Sequence, residues 1–162
     1  MEKVLREISQ LSIKLGDFDF TKEQISSNWL GNKKATEIDI QNCEKRLNVK
    51  FPNDYKEFLL ICNGFSAPND VEPSFVNIEK VDFLKNVDEF IIEAYDYLVE
   101  LQNAIIVGGI SEEQYFLLLP PKSENEKWKY WKFANWYPGE HNFENLNEYF
   151  KDVLEFTKDE IN

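Results

Sequence analysis

The chain is expected to fold as one α+β domain, a mixed and mainly antiparallel sheet with helices packed around it. Three observations lead there. Apolar residues recur at helical spacing through the first hundred positions and again near the end. Between them stand three short apolar or aromatic runs, punctuated by Gly108-Gly109, Pro120-Pro121 and a polar turn, which is the pattern of buried strands. Finally, 162 residues with 43% hydrophobic content suit one domain with a sizeable core. Helices first, then strands, then a closing helix describe an α+β chain rather than an alternating one.

Taken in order, residues 2–15 form a helix through Val4, Leu5, Ile8, Leu11 and Leu15, and Gly16 supplies its C-cap. Residues 17–35 read as irregular, with Phe18, Phe20, Ile25, Trp29 and Leu30 as anchors; residues 1–35 are a lead-in to a main unit of 36–162. Thr36 caps a second helix, with Asp39 completing a capping-box variant and Ile40, Cys43 and Leu47 on one face. Phe51-Pro52 breaks that helix and opens another, which buries Tyr55, Phe58, Leu59 and Cys62 and stops at Asn63-Gly64. A loop follows at 65–74, then a short strand at 75–78. Residues 81–101 read as the strongest helix, with Leu84, Val87, Ile91, Ala94, Leu98 and Leu101 stepping by three and four. Strands are expected at 104–107, 115–119 and 128–133, with a turn at 122–127. The last helix runs from its cap Asn145 to residue 158 with Leu146, Tyr149, Phe150, Val153 and Phe156 inward.

Charge narrows the function. Thirty acidic residues oppose eighteen basic ones, for a net charge of -12. Such a chain repels nucleic acid and anionic membranes and attracts basic partners. No run approaches the length of a membrane span, and the start lacks a signal-peptide apolar core, so a cytoplasmic location is expected. Cys43 and Cys62 sit in apolar helical patterns as small hydrophobes and suggest neither a disulfide framework nor a metal site.

The usual chemical motifs are missing. His141 is the single histidine, in a loop-like PGEHNF stretch, so paired-histidine metal motifs are ruled out and a surface role is weighed against a general base. Gly108-Gly109 lacks phosphate-loop spacing and reads as a tight turn, with close approach to a ligand as the alternative. Lys and aromatics alternate over 122–133, four Lys against two Glu. That is either a half-exposed strand whose lysines protect an edge or a weak single-strand nucleic-acid platform. No catalytic residue, cofactor or metal ligand is expected.

The acids themselves are patterned. On a helix of 81–101, Asp82, Glu89, Glu93, Asp96 and Glu100 share one stripe opposite the apolar face. In the last helix Glu148, Asp152 and Glu155 repeat the arrangement. The stripes are either solvated faces or ridges that steer a cationic partner.

The order of signals over 36–64 resembles the SUKH superfamily, which holds bacterial immunity proteins and fungal cell-wall-assembly regulators. Its opening is similar to Ile40 and Glu44, Leu47, Phe51-Pro52, Asp54-Tyr55, Phe58-Leu59 and Asn63-Gly64. The run IIVGGISEEQYFLLLP at 105–120 looks like the family's strand, glycine turn and second strand, and Leu146 and Phe150 fit its last helix. The resemblance covers about residues 36–157. Ser111-Glu112-Glu113 stands where members often carry an Asp, so no role tied to that Asp is carried over. The resemblance implies a non-catalytic fold and, for a bacterial member, neutralisation of a toxin, often a nuclease and therefore basic. A scaffold or regulatory module linked to cell-wall assembly is the alternative, and an enzyme using carboxylates alone is a third. The motif residues mark the fold, so the contact surface is expected on the acidic stripes and the 65–74 loop.

Overall fold

The helix signals act where the sequence places them. In the computed structural model, which describes residues 1–16, 18–123, 125–134 and 140–161, α1 spans Glu2–Leu15 and ends at Gly16 with φ 72°. α3 spans Glu37–Leu47, and its capping box closes as expected: Asp39 N–H donates to Thr36 Oγ1, and Thr36 N–H donates to Asp39 Oδ2. The Thr36 hydroxyl also donates to Asp39 Oδ2, and it, with the Thr36 N–H second, holds the Asp39 carboxyl below its ordinary range. α4 spans Asn53–Ile61 behind Pro52, whose missing N–H costs nothing at a helix start. α7 spans Leu146–Asp159, with Asn145 Oδ1 accepting from Glu148 N–H.

Among the described residues, five antiparallel strands form one meander in the order β1-β2-β3-β4-β5: Asp82–Phe83, Ile105–Gly108, Gln114–Leu119, Lys129–Ala134 and Glu140–Phe143. Both faces are covered, so the central strands read as nearly continuous apolar runs rather than alternating ones. One face sends Ile105, Val107, Phe116, Leu118, Tyr130 and Phe143 into the main core with side chains from α1, α3, α4 and α7. The other sends Ile106, Leu117, Leu119, Trp131 and Phe133 into a smaller core roofed by Leu84, Ile91, Ile92 and Leu101. Thus α1 shares the main core through Leu5 and Ile8 and packs along α7.

Several expectations are corrected. Residues 81–101 are not one helix. They form β1, α5 (Leu84–Val87), α6 (Glu89–Ala94) and a 3-10 turn at Val99–Asn103. Asp88 makes the main break: at φ -144° its carboxylate accepts from Ile91 N–H and starts a new helix, the local competition that short acidic side chains offer the backbone. The apolar period persists because separate pieces turn Leu84, Ile91, Ile92 and Leu101 to the sheet, not because the pieces share an axis. The strand expected at 75–78 is reduced to two isolated bridges made by Phe75, to Phe65 and to Gly108, followed by a 3-10 turn at Ile78–Lys80. There Ile78 N–H donates to Asn63 Oδ1.

Asn63 also differs from its expected role. α4 ends at Ile61, and only Gly64 of the pair has positive φ, at 99°. A Cβ on Gly64 would stand 2.9 Å from the Phe75 carbonyl oxygen, so the position excludes a side chain on two counts.

The stretch 17–35 contains α2, Lys22–Ser27, fixed by a full Thr21/Gln24 capping box. The expected PGEHNF loop instead ends in β5, whose His141 pairs with Lys132 across the strands; Pro138 and Gly139 lie outside the described residues, as does Glu124 of the 122–127 turn. With β5 beside it, β4 is an inner strand, so its lysines guard no edge. Tyr130, Trp131 and Phe133 are buried, divided between the two faces.

Candidate protein-docking surface

The residues that carry the family resemblance prove to be framework. Glu44 lies near the end of α3, turned towards the bend into α4, and is 4% exposed. Its carboxylate accepts from Phe51 N–H at 2.8 Å and meets Lys50 at 3.0 Å and Lys56 at 3.1 Å. Burial alone would raise its pKa, but the two lysines and the Phe51 amide outweigh burial and hold it below the ordinary carboxylate range. A lowered folded pKa gives stability that is present above the unfolded value and lost as pH falls through the folded one. Glu44→Gln is therefore expected to destabilise the protein at pH 7, with the gap to wild type closing as urea titrations are moved from pH 5 towards pH 3. A gap independent of pH would show that Glu44 acts by shape alone.

Asp54 joins three elements. Its Oδ1 accepts from the Tyr130 hydroxyl at 2.5 Å and its Oδ2 from Leu146 N–H at 2.8 Å, tying α4 to β4 and to the start of α7. Burial and the Asp54 carboxylate both push the Tyr130 hydroxyl pKa upward, so the phenol stays a donor.

Glu72, from the 65–74 loop, turns inward. It meets Lys132 Nζ at 2.7 Å and accepts from the Tyr149 hydroxyl at 2.8 Å. Glu112, at the glycine turn, accepts from Ser74 N–H and holds the far end of that loop. The loop's charged centre thus belongs to the frame, while Asp70 and Val71 face solvent.

The cysteines behave as small apolar groups. Both are free and buried, and burial pushes the Cys62 thiol up to about 12. Among the described residues, no group of three or more His, Cys, Asp and Glu could hold a metal ion, and no helix is long and apolar enough to cross a membrane.

The candidate acids separate into three environments. Asp82, in β1, is half-buried, 3.9 Å from Arg46 and bonded to Asn86. Glu100 pairs with Lys122 at 3.2 Å; its own backbone N–H and that lysine hold its pKa down. Glu89, Glu93 and Asp96 are exposed and make no ion pair among the described residues. On α7, Asp152 and Glu155 are exposed and Glu148 half-buried. Since α7 packs on the main-core face and residues 84–103 on the opposite face, the two acidic sets lie on opposite sides of the sheet. They do not form one ridge.

Residues 84–103 leave large apolar side chains in water. Phe90 is 76% exposed, Tyr97 67% and Val99 61%, which with Ile38 makes them the most exposed large apolar side chains among the described residues. Phe90 and Tyr97 fall off the apolar stripe expected for 81–101, and that misfit was the available signal for them. Val87 and Ala94, expected on the buried stripe, are exposed instead. The surface therefore combines unpaired carboxylates with apolar groups left in water, a composition suited to protein contact.

The fold defines a class: an α+β domain with a doubly covered antiparallel meander. The sequence profile of the SMI1 / KNR4 family (SUKH-1) matches residues 34–159, and the chain belongs to that family. No curated protein matches it.

Proposed function

We propose that this protein is a non-enzymatic binding domain of the cytoplasm, an immunity protein that neutralises a basic, nuclease-type toxin by covering its surface. The observation that carries the reading is the set of exposed, unpaired carboxylates Glu89, Glu93 and Asp96 on a chain of net charge -12. A toxin that binds phosphates must present a cationic groove, and an acidic inhibitor both finds and fills it. Family membership supports a protein-binding role. Among the described residues, the carboxylates with shifted pKa values, Asp39, Glu44 and Glu100, all shift downward, the opposite of what a general acid requires.

Asp82 and Glu100 anchor this surface through Arg46 and Lys122 and add to its field, while Glu148, Asp152 and Glu155 add a second, separate field behind the sheet. Affinity capture from the source cell is the first test. A captured toxin whose activity is suppressed in proportion to bound inhibitor supports the reading; capture of a cell-wall-assembly component instead favours a regulatory module. With the toxin in hand, Glu89→Lys/Glu93→Lys is expected to slow association about tenfold at low salt and to flatten its salt dependence. An unchanged rate and salt slope would leave these acids as a solvated face.

A further inference from the structure

The strap of residues 84–103 is unusual in what it exposes. It roofs the smaller core with Leu84, Ile91, Ile92 and Leu101. Phe90, Tyr97 and Val99, from the same short pieces, remain in water. Isolated exposed apolar residues, such as Ile38 on α3, are ordinary. Three within ten positions, on consecutive short pieces of one strap, form an exposed apolar segment. Its rings are positioned before any partner arrives. Tyr97 lies against Tyr95 at 5.9 Å between centroids, and Tyr95 meets Phe133 of β4 edge-on at 5.2 Å. Phe90 rides on α6, whose start is fixed by the Asp88 carboxylate, itself accepting from the Tyr115 hydroxyl at 2.5 Å.

We infer that this strap is the docking surface for an arginine-bearing protein face, with Phe90 and Tyr97 as stacking anchors among Glu89, Glu93 and Asp96. The inference rests on the chain's acting by binding protein. The partner's chemistry follows from the surface. Between residues 82 and 100 there are six acids and one lysine, so a cationic face is required. Aromatic rings beside carboxylates favour guanidinium over ammonium, because the planar group stacks on a ring while its N–H fork reaches the carboxylates. A second copy of this chain is disfavoured by the same charges, since a two-fold contact would set the acidic patch against itself.

The test is a titration of the isotope-labelled full chain with two probes, a nine-residue arginine peptide and a nine-residue lysine peptide, followed by backbone amide shifts. Saturable shifts at 87–99, with at least threefold tighter binding of the arginine peptide, support the inference. Phe90→Ala/Tyr97→Ala is expected to weaken the arginine peptide about tenfold and leave the lysine peptide nearly unchanged; both rings are mostly exposed, so the core is spared. Shifts confined to α7, equal affinity for the two peptides, or concentration-dependent self-association abolished by Phe90→Ala would overturn it. Capture from the source cell separates this from the broader reading. If the double variant takes the same protein as wild type with equal affinity, the surface is wrong and the binding role stands. If wild type takes nothing while the arginine peptide still seats on 87–99, the role is wrong and the surface stands.

Discussion

Phe58→Ala is expected to destabilise the protein by about 3–5 kcal/mol, the range for removing a fully buried aromatic side chain. Phe58 is 0% exposed and stands at the centre of a ring cluster. It stacks on Tyr55 at 6.1 Å and on Phe150 at 5.5 Å, and meets Phe75 at 5.2 Å. Phe75 continues to Phe116 and Tyr149, so α4, α7 and the sheet meet around one side chain. The cluster joins three elements that cannot all move inward, so the void is only partly filled. Urea titration checks the value. A loss below about 1 kcal/mol would show that the cluster collapses onto the space and that Phe58 does not organise it.

Asp54→Ala is expected to cost about 3 kcal/mol, although Asp54 itself is only half-buried. The substitution removes an ionised acceptor from the Tyr130 hydroxyl and from Leu146 N–H together. Hydrogen bonds to charged groups are worth about 1.5–3 kcal/mol each, and a donor left unpaired under cover costs the desolvation of that group. A double-mutant cycle with Tyr130→Phe isolates the phenol's share: coupling of about 1–2 kcal/mol is expected, and additive losses would show that the two groups act independently. Asp54 follows Pro52 by two residues, so a motif that looks like a helix-start signal also bolts the closing helix to the sheet.

Most of the frame was legible because its signals are local. Thr36 and Asp39 cap a helix through bonds spanning three residues, and Gly16 ends one through its own φ. The runs at 105–119 were readable because strands buried on both faces must be continuously apolar. The Thr21/Gln24 capping box is equally local, but it stands in a stretch whose scattered apolar residues read as irregular. What stayed hidden is tertiary. The break at Asp88 depends on the sheet drawing Leu84, Ile91 and Leu101 from separate pieces, which mimics one helical period. β5 takes its place by pairing with β4, and EHNF carries no apolar alternation to announce it.

The candidate surface was half legible for the same reason. The acids at 89, 93 and 96 were identifiable by charge, but their separation from the α7 acids is a matter of which sheet face each element covers. Asp82 and Glu100 could not be distinguished from the others, because Arg46 and Lys122, which occupy them, come from distant parts of the chain. Phe90 and Tyr97 stand on the water side of the elements that roof the smaller core, and that links the fold to the proposed contact.

Hydrogen exchange on the protein with and without its captured partner tests this link most directly. The account predicts slowed exchange across 84–103, strongest at 87–99, with α7 and the α3–α4 bend unchanged. Protection confined to α7, with the strap exchanging as fast as in the free protein, would contradict it.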